Sequence, residues 1–334
     1  MKGARMMKMK AMGFYEFGEP SVLKEIELQM PEAGDDQVLI RVGGTSVNFA
    51  DIQTRKGSFH GGGADFPVVP GLDAAGTVEA VGRNVRDIRE GDRVIAFPRT
   101  GTYSEYVVAD RALTYVIPDE ISMVQAAASP LVSFTSHMLL NKVAELEKGE
   151  TIVIHAAAGG IGTTVIQIAR AMGAGRIIGT VRGEEKRQKA LEAGADYVIR
   201  SERDNFAEEI MKLTDGRGAD VILDSIGGEF TSMSMDCLAM YGRLVVFGNA
   251  SGSYGMIDTK LLHSSTRSVR GFSSVTTRNN RPQWFKDTAG EVIRLMAEKK
   301  IDMKVSHVMK LSDAAKAHEL MESGGVTGKI VLEV

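Results

Sequence analysis

From Thr151 the chain reads Thr-Ile-Val-Ile-His-Ala-Ala-Ala-Gly-Gly-Ile-Gly, followed by a helical pattern from Thr163 to Met172. An apolar strand that runs through a glycine turn into a helix is a place to bind a pyrophosphate. The free amides and the positive dipole end of the helix favour an anion, and Gly159 lets backbone approach it. Gly162 lets the helix pack close to the strand, while Ala158, Gly160 and Ile161 complete the turn. The spacing Ala157-x-Gly159-x-x-Gly162 lacks the first glycine of the dinucleotide fingerprint, so alone it also describes a corner whose glycines serve only packing. A second strand, Arg176–Val181, at the distance of a βαβ unit favours the nucleotide reading. Where an NAD site carries an acidic residue at the end of that strand stands Val181, so nothing repels a 2′-phosphate. Arg182 follows at once and Lys186 one turn later; both can reach a dianion, which predicts NADPH over NADH. The competing reading makes them solvated helix-start residues neutralised by Glu184 and Glu185. His155, which closes the first strand, reads more simply as a packed histidine bonded to backbone than as a catalytic group.

Such a turn needs a parallel sheet around it. From about residue 125, helical stretches (Val124–Ser129, Phe134–Val143, Thr163–Met172, Glu184–Ala193, Phe206–Leu213) alternate with apolar strands (Thr151–His155, Arg176–Val181, Tyr197–Ile199, Val221–Asp224, Arg243–Phe247), the pattern of a doubly wound α/β sheet. Residues 10 to about 125 read instead as short strands between frequent turns: Lys10–Tyr15, Val38–Val47, Ala74–Val81, Arg93–Phe97, Tyr103–Val108 and Leu113–Val116, a mostly-β domain. After about residue 270 come a helix at Trp284–Lys299, a strand at Ser306–Met309, a helix at Ser312–Glu322 and a strand at Gly328–Val334. That segment is small for an independent domain, so the chain is expected to return and complete the first one. The expected division is 1–127 with 271–334, and 128–270 between them.

A chain of 334 residues, 43% apolar, has enough apolar material for two cores. A net charge of −3 gives no global basic field for nucleic acid. The one cysteine, Cys237, has no partner for an internal disulfide, which suits a reducing cytoplasm. No apolar run approaches the ~20 residues of a membrane helix, and Met7 or Met9 is a second possible start.

The segments Val47-Asn48-Phe49-Ala50-Asp51, Pro70-Gly71-Leu72-Asp73-Ala74-Ala75-Gly76, Gly91-Asp92-Arg93-Val94, Gly101-Thr102-Tyr103-Ser104-Glu105-Tyr106, His155 to Gly162, Val246-Phe247-Gly248-Asn249 and Thr327-Gly328-Lys329 together resemble the zinc-independent quinone oxidoreductase (zeta-crystallin-like) branch of the medium-chain dehydrogenase/reductases. The resemblance implies a GroES-like domain made of both chain ends with a Rossmann domain inserted. It also implies reduction by NADPH of a quinone or another conjugated carbonyl (an enal or enone), in a homodimer paired through an edge strand such as Arg243–Phe247 or the segment after it. Asn48, Asp51 and Thr135 are implied at the nicotinamide end, Thr135 in a turn before a helix. The residues themselves also read as a helix cap, with Asn48 as N-cap and Asp51 at the third helical position.

Thr180, Ser201, Phe247, Gly248, Asn249 and Lys329 join the cofactor contacts. The family's tyrosine near Ser201 is missing, which leaves Ser201, Arg200 or Arg203 to complete the phosphate site. Gln53, Phe59 and Tyr103 are the candidates facing the acceptor; Gln53 and Phe59 stand where relatives carry tyrosines, and the loop Gly57–Gly63 reads as a flap or as a surface insertion. For metal, Asn48 and Leu72 occupy the positions of zinc ligands in the zinc-dependent cousins, and one cysteine excludes two- and four-cysteine sites, so none is expected. A different class remains open: an NADPH-binding protein without turnover, crystallin-like or RNA-interacting through Arg267, Arg270, Arg278 and Arg281.

Overall fold

The computed structural model describes residues 7–58, 65–201 and 205–334. Phe59, most of its glycine loop and Arg203 lie outside the described residues. The chain forms two compact units, Met1–Leu131 with Val305–Val334, and Val132–Lys304.

The first segment carries β1 (Lys8–Gly13), β2 (Lys24–Gln29), β3 (Gln37–Ser46), α1 (Phe49–Arg55), β4 (Ala74–Val81), β5 (Arg93–Ala96), β6 (Tyr106–Asp110), β7 (Thr114–Val116) and α2 (Met123–Ala128). Strand β3 is the centre of this unit, pairing antiparallel with both β4 and β6. Its Val38, Ile40 and Val42 bury against Val78, Val94 and Val107, the packing that an alternation of β-branched residues dictates. Strand β2, absent from the sequence pattern, pairs with β1 through Lys-Glu-Ile-Glu-Leu-Gln, whose charged side chains face water and join Lys8 to Glu27 and Lys10 to Glu25.

The second unit holds most of α3 (Pro130–Met138), then β8 (Thr151–His155), α4 (Gly160–Met172), β9 (Arg176–Val181), α5 (Glu184–Glu192), β10 (Tyr197–Arg200), α6 (Phe206–Leu213), β11 (Ala219–Asp224), α7 (Glu229–Asp236), β12 (Leu238–Val246), α8 (Thr259–Ser265), β13 (Ser268–Gly271), α9 (Ser274–Asn280) and α10 (Pro282–Ala297). Its sheet is parallel throughout, in the order β10-β9-β8-β11-β12-β13. Every residue of β8 is buried, as a strand covered on both faces requires. Strand β12, expected as a possible edge, is an interior strand: β13 covers it, and its one aliphatic residue, Val269, is only half-buried. The sequence pattern placed the crossing back to the first domain at residue 271. Helices α9 and α10 group instead with the second unit, because α10 turns Phe285, Thr288 and Val292 inward, Phe285 lying 6.0 Å from Phe134 of α3.

The chain then returns with β14 (Val305–Lys310), α11 (Ala314–Glu322) and β15 (Lys329–Glu333). Strand β15 pairs antiparallel with β3 and parallel with β14, which installs the C-terminus beside the end of β3 where Asn48 follows. A mostly-β first unit built from both chain ends and a parallel nucleotide-type unit make up the expected fold class.

Candidate active site

Helix α1 starts at Asn48, whose extended backbone (φ −120°, ψ 155°) is that of an N-cap. The Asn48 N–H donates to Asp51 Oδ2 at 2.8 Å, the reciprocal half of a capping box, so the cap reading holds for Asp51. The Asn48 side chain does other work. Its Oδ1 accepts from Lys329 Nζ at 2.6 Å, and its Nδ2 donates to Asp73 Oδ1 at 3.1 Å. Asp73 also accepts from Ser46 Oγ at 3.1 Å and from the Leu131 N–H at 3.0 Å. The other Asp51 oxygen takes the Gly71 N–H at 3.2 Å. Gly71 has φ +102°, and a Cβ there would stand 2.0 Å from Thr102 Oγ1, so only glycine brings that amide to the carboxylate.

Asn48, Asp51, Asp73 and Lys329 are all at most 5% exposed. Burial therefore dominates their titration. It pushes Asp51 up to about 7, with the Asp73 charge adding and the Asn48 amide and Lys329 opposing. Asp73 is raised in the same way, and Lys329 is lowered by burial against the pull of Asp73 and Asp51. The first unit thus encloses two carboxylates and one ammonium with a proton held near neutrality.

In the second unit the glycine turn has the geometry that the sequence implies. Gly159 is the N-cap of α4, no side chain caps the helix, and its first turn has no acidic residue, so the leading amides are left for an anion. A Cβ on Gly162 would fall 2.5 Å from Ala156 O, which is the close helix–strand packing that requires glycine. Beyond β9, Glu184 pairs with Arg187 at 3.1 Å and Arg200 at 3.2 Å. Among the described residues neither Arg182 nor Lys186 has an ion-pair partner, so Glu184 does not neutralise them. Arg182 borders a concavity of about 540 Å³ lined also by Ile226, Gly227, Phe230, Tyr254 and Met256. These residues fit a nucleotide with an additional phosphate. Buried Asp224 holds the loop after β11, its oxygens accepting from the Ile226 and Gly227 amides and from Thr231 Oγ1 at 2.6 Å.

Several assignments change. Tyr103, a candidate for the acceptor, is fully buried in the first unit beside Phe14, Val47 and Ile330 and bonds His318 Nε2 at 3.1 Å, so it presents no free surface to a substrate. Lys329 spends its ammonium on Asn48 Oδ1 and Val47 O. Thr180 faces inward to His155 Nδ1 at 2.8 Å, so its hydroxyl does not face a cofactor. His155 is packed, as expected, but its partners are the hydroxyls of Thr180 and Ser234 rather than backbone, and burial lowers it to about 4. Thr135 lies inside α3, not in a turn, and is buried. Ser201 Oγ donates to Val181 O at 3.2 Å, at the end of β9. Gln53 is half-buried on α1. Phe247, Gly248 and Asn249 follow β12, with the Phe247 amide tied to Asp224 O at 2.9 Å. Pattern reading missed Asp73 and Asp224; the one available signal was an acidic residue within or ending an apolar run.

The donor set does not suit zinc. Asn48 has both ends of its amide committed, Leu72 is buried hydrocarbon, and Cys237 lies in the second unit's core with its thiol pushed up to about 12 by burial. Among the described residues no group of three or more His, Cys, Asp or Glu side chains is placed to hold a metal. No helix of the described residues is long and apolar enough to cross a membrane.

Comparison with known proteins agrees with this architecture. An alcohol dehydrogenase GroES-like domain matches residues 34–119 and a zinc-binding dehydrogenase domain matches residues 160–298. The quinone oxidoreductase of Salmonella typhimurium is 36% identical, covering 96% of this chain and 98% of that protein. That of Pseudomonas aeruginosa is 35% identical over 97% and 99%. The crystal structure of Escherichia coli quinone oxidoreductase complexed with NADPH superposes with a TM-score of 0.89 at 32% identity, covering 97% of this chain and all of that one. With its fold and its sequence matched over nearly the whole length, the chain belongs to the quinone oxidoreductase family of the medium-chain dehydrogenase/reductases.

Proposed function

We propose that this chain is an NADPH-dependent oxidoreductase that transfers hydride, without zinc, to a quinone or another conjugated carbonyl (an enal or enone). The observation that carries the cofactor choice is the pair Arg182 and Lys186, without ion-pair partners among the described residues, while Glu184 is held by Arg187 and Arg200. NADPH, when bound, supplies the hydride; this chain binds, orients and manages charge. The turn from Ala158 through Gly162 holds the pyrophosphate, Arg182 and Lys186 hold the 2′-phosphate with Ser201 nearby, and the backbone of Phe247–Asn249 borders the nicotinamide half.

Asn48, Asp51 and Thr135 serve the nicotinamide end in this reading, and Gln53 faces the acceptor. The rigid clamping of Asn48 between Lys329 and Asp73 supports that role, since a group fixed in advance costs no reorganisation when charge moves. Strand β13, at the end of the sheet, is the edge through which two copies pair, and the reducing cytoplasm is the expected location.

The test is NADPH oxidation with 1,4-benzoquinone and a panel of enals and enones, before and after a strong chelator. Turnover that survives chelation, with kcat reduced in Asn48→Ala and Thr135→Val more than NADPH affinity, is the expected result. Absence of turnover with every acceptor, or activity lost with stoichiometric zinc, overturns it. Light scattering at micromolar concentration checks the dimer.

A further inference from the structure

Of the arginines that the sequence sets out between Arg267 and Arg281, the first is spent on backbone: the Arg267 guanidinium donates to the carbonyls of Met235, Leu238 and Ala239. Arg270 and Arg281 instead line one concavity of the second unit, of about 690 Å³, together with Lys142, Val246, Phe272 and Trp284. Small-molecule sites have volumes of about 300–1,000 Å³. This one lies between the helical turn Leu139–Val143 that follows α3, strand β13, and the helices α9 and α10. Among the described residues no aspartate or glutamate lines it. The carboxylates that answer its cations stand outside the lining and leave donors over. Glu145 and the Val143 carbonyl both take Nη1 of Arg270, so its Nε and Nη2 have no acceptor among the described residues. Asp287 takes Lys142 at 3.4 Å. Arg281 has no carboxylate partner among the described residues, and its guanidinium stands 5.7 Å from the centroid of the Trp284 ring. N–H donors without acceptors select a ligand that brings oxygens and negative charge. Trp284, Phe272 and Val246, all half-buried, supply the apolar wall against which a ring can lie.

We propose that this concavity binds a small aromatic anion, a flat ring bearing a carboxylate, sulfonate or phosphate. The acid group meets Arg281 and the free edge of Arg270, and the ring lies against Trp284 and Phe272. Nε and Nη2 form one side of a guanidinium, and a carboxylate takes that side through two parallel hydrogen bonds. Both halves of the ligand are needed: an inorganic anion would satisfy the donors and leave the rings uncovered, and a neutral aromatic would do the reverse. A nucleic acid strand requires a run of basic side chains that neutralises successive phosphates, and the commitment of Arg267 to backbone breaks that run. The site does not depend on the activity proposed above.

Trp284 is the chain's one tryptophan, so the emission of the full-length protein reports on this concavity. At constant ionic strength benzoate should change that emission along a saturable isotherm. Benzamide, of the same shape without the charge, should not, and inorganic phosphate should bind more weakly than benzoate. Arg281→Gln and Arg270→Gln should each weaken benzoate by about tenfold or more, the loss of a charge-assisted hydrogen bond, and calorimetric titration supplies the same constants independently of the emission. Equal affinity for benzoate and benzamide, a benzoate affinity unaltered in Arg281→Gln, or phosphate binding as tightly as benzoate overturns the proposal. So does a salt-dependent RNA complex lost in Arg281→Gln without any response to benzoate. If Arg270→Gln does not fold, Arg281→Gln, a change at an exposed side chain, decides it.

Discussion

Asp51, Asp73 and Lys329 of the first unit are sealed in and bonded by buried neighbours, whereas Arg182 and Lys186 beyond β9 in the second unit face water with no ion-pair partner among the described residues. Lys329, Asp51 and Asp73 are nearly inaccessible and bonded on several sides, so their effect is exerted through pKa and rigidity. Arg182 and Lys186 are exposed or half-exposed and unpaired among the described residues, so theirs waits for a ligand. The same residue types thus report different things: a buried charge with full partners is part of a site's frame, and a solvated charge without partners is a site's opening bid for a phosphate.

The comparison breaks first at Lys329. Lys329→Met leaves the buried Asn48 Oδ1 and Val47 O without their donor and removes the positive charge that favours the Asp51 and Asp73 carboxylates; leaving buried polar groups unsatisfied costs about 1–3 kcal/mol each, read as a fall in urea-unfolding free energy. The loss should also depend on pH. Asp51 has its pKa raised from 3.8 to about 7, so its contribution to stability is fully present below pH 3.8 and fades as pH rises toward 7. Losing Lys329 extends that decline upward, so the deficit against wild type should be larger at pH 8 than at pH 5. An equal deficit at both would mean that Lys329 acts only by packing.

The exposed side gives a smaller and different effect. Arg182→Ala with Lys186→Ala should cost at least tenfold in NADPH affinity, about 1.4 kcal/mol or more, with NADH affinity and the melting temperature unchanged. Fluorescence titration with both cofactors measures it, and an equal loss of NADH would place these residues away from the 2′-phosphate. Smallest of all should be Glu184→Gln. It breaks two solvated ion pairs, which contribute little to stability, and it removes a negative charge near a bound anion, so a gain of under about threefold in NADPH affinity is expected. A large loss of stability there would show that the two regions are less different than they look.

Much of the second unit was legible because strand, turn and helix announce themselves locally. The run from Thr151 to Gly162 announced β8 and the start of α4, because an apolar run, a glycine turn and a helical pattern are contiguous there. The three-residue spacing of Asn48 and Asp51 gave the cap for the same reason. What stayed hidden depends on partners distant in sequence. Asp73 meets Asn48 across 25 residues and Arg55 meets His318 across 263, and no local periodicity encodes either. Tyr103 was visible as part of a motif, but residue type says nothing about which side of a strand end a phenol takes; it went inward. Strands β2 and β13 escaped because each is only partly buried and lacks a strong apolar alternation.

The sealed thiol of Cys237 carries a last consequence. Quinones and enones are electrophiles that arylate or alkylate thiolates, and the thiolate, not the thiol, is the reacting species. The chain's one cysteine is fully buried with its proton held until about pH 12. A catalyst for such acceptors built this way offers its own substrate no thiolate to capture, so repeated turnover should not be accompanied by mass increments at Cys237.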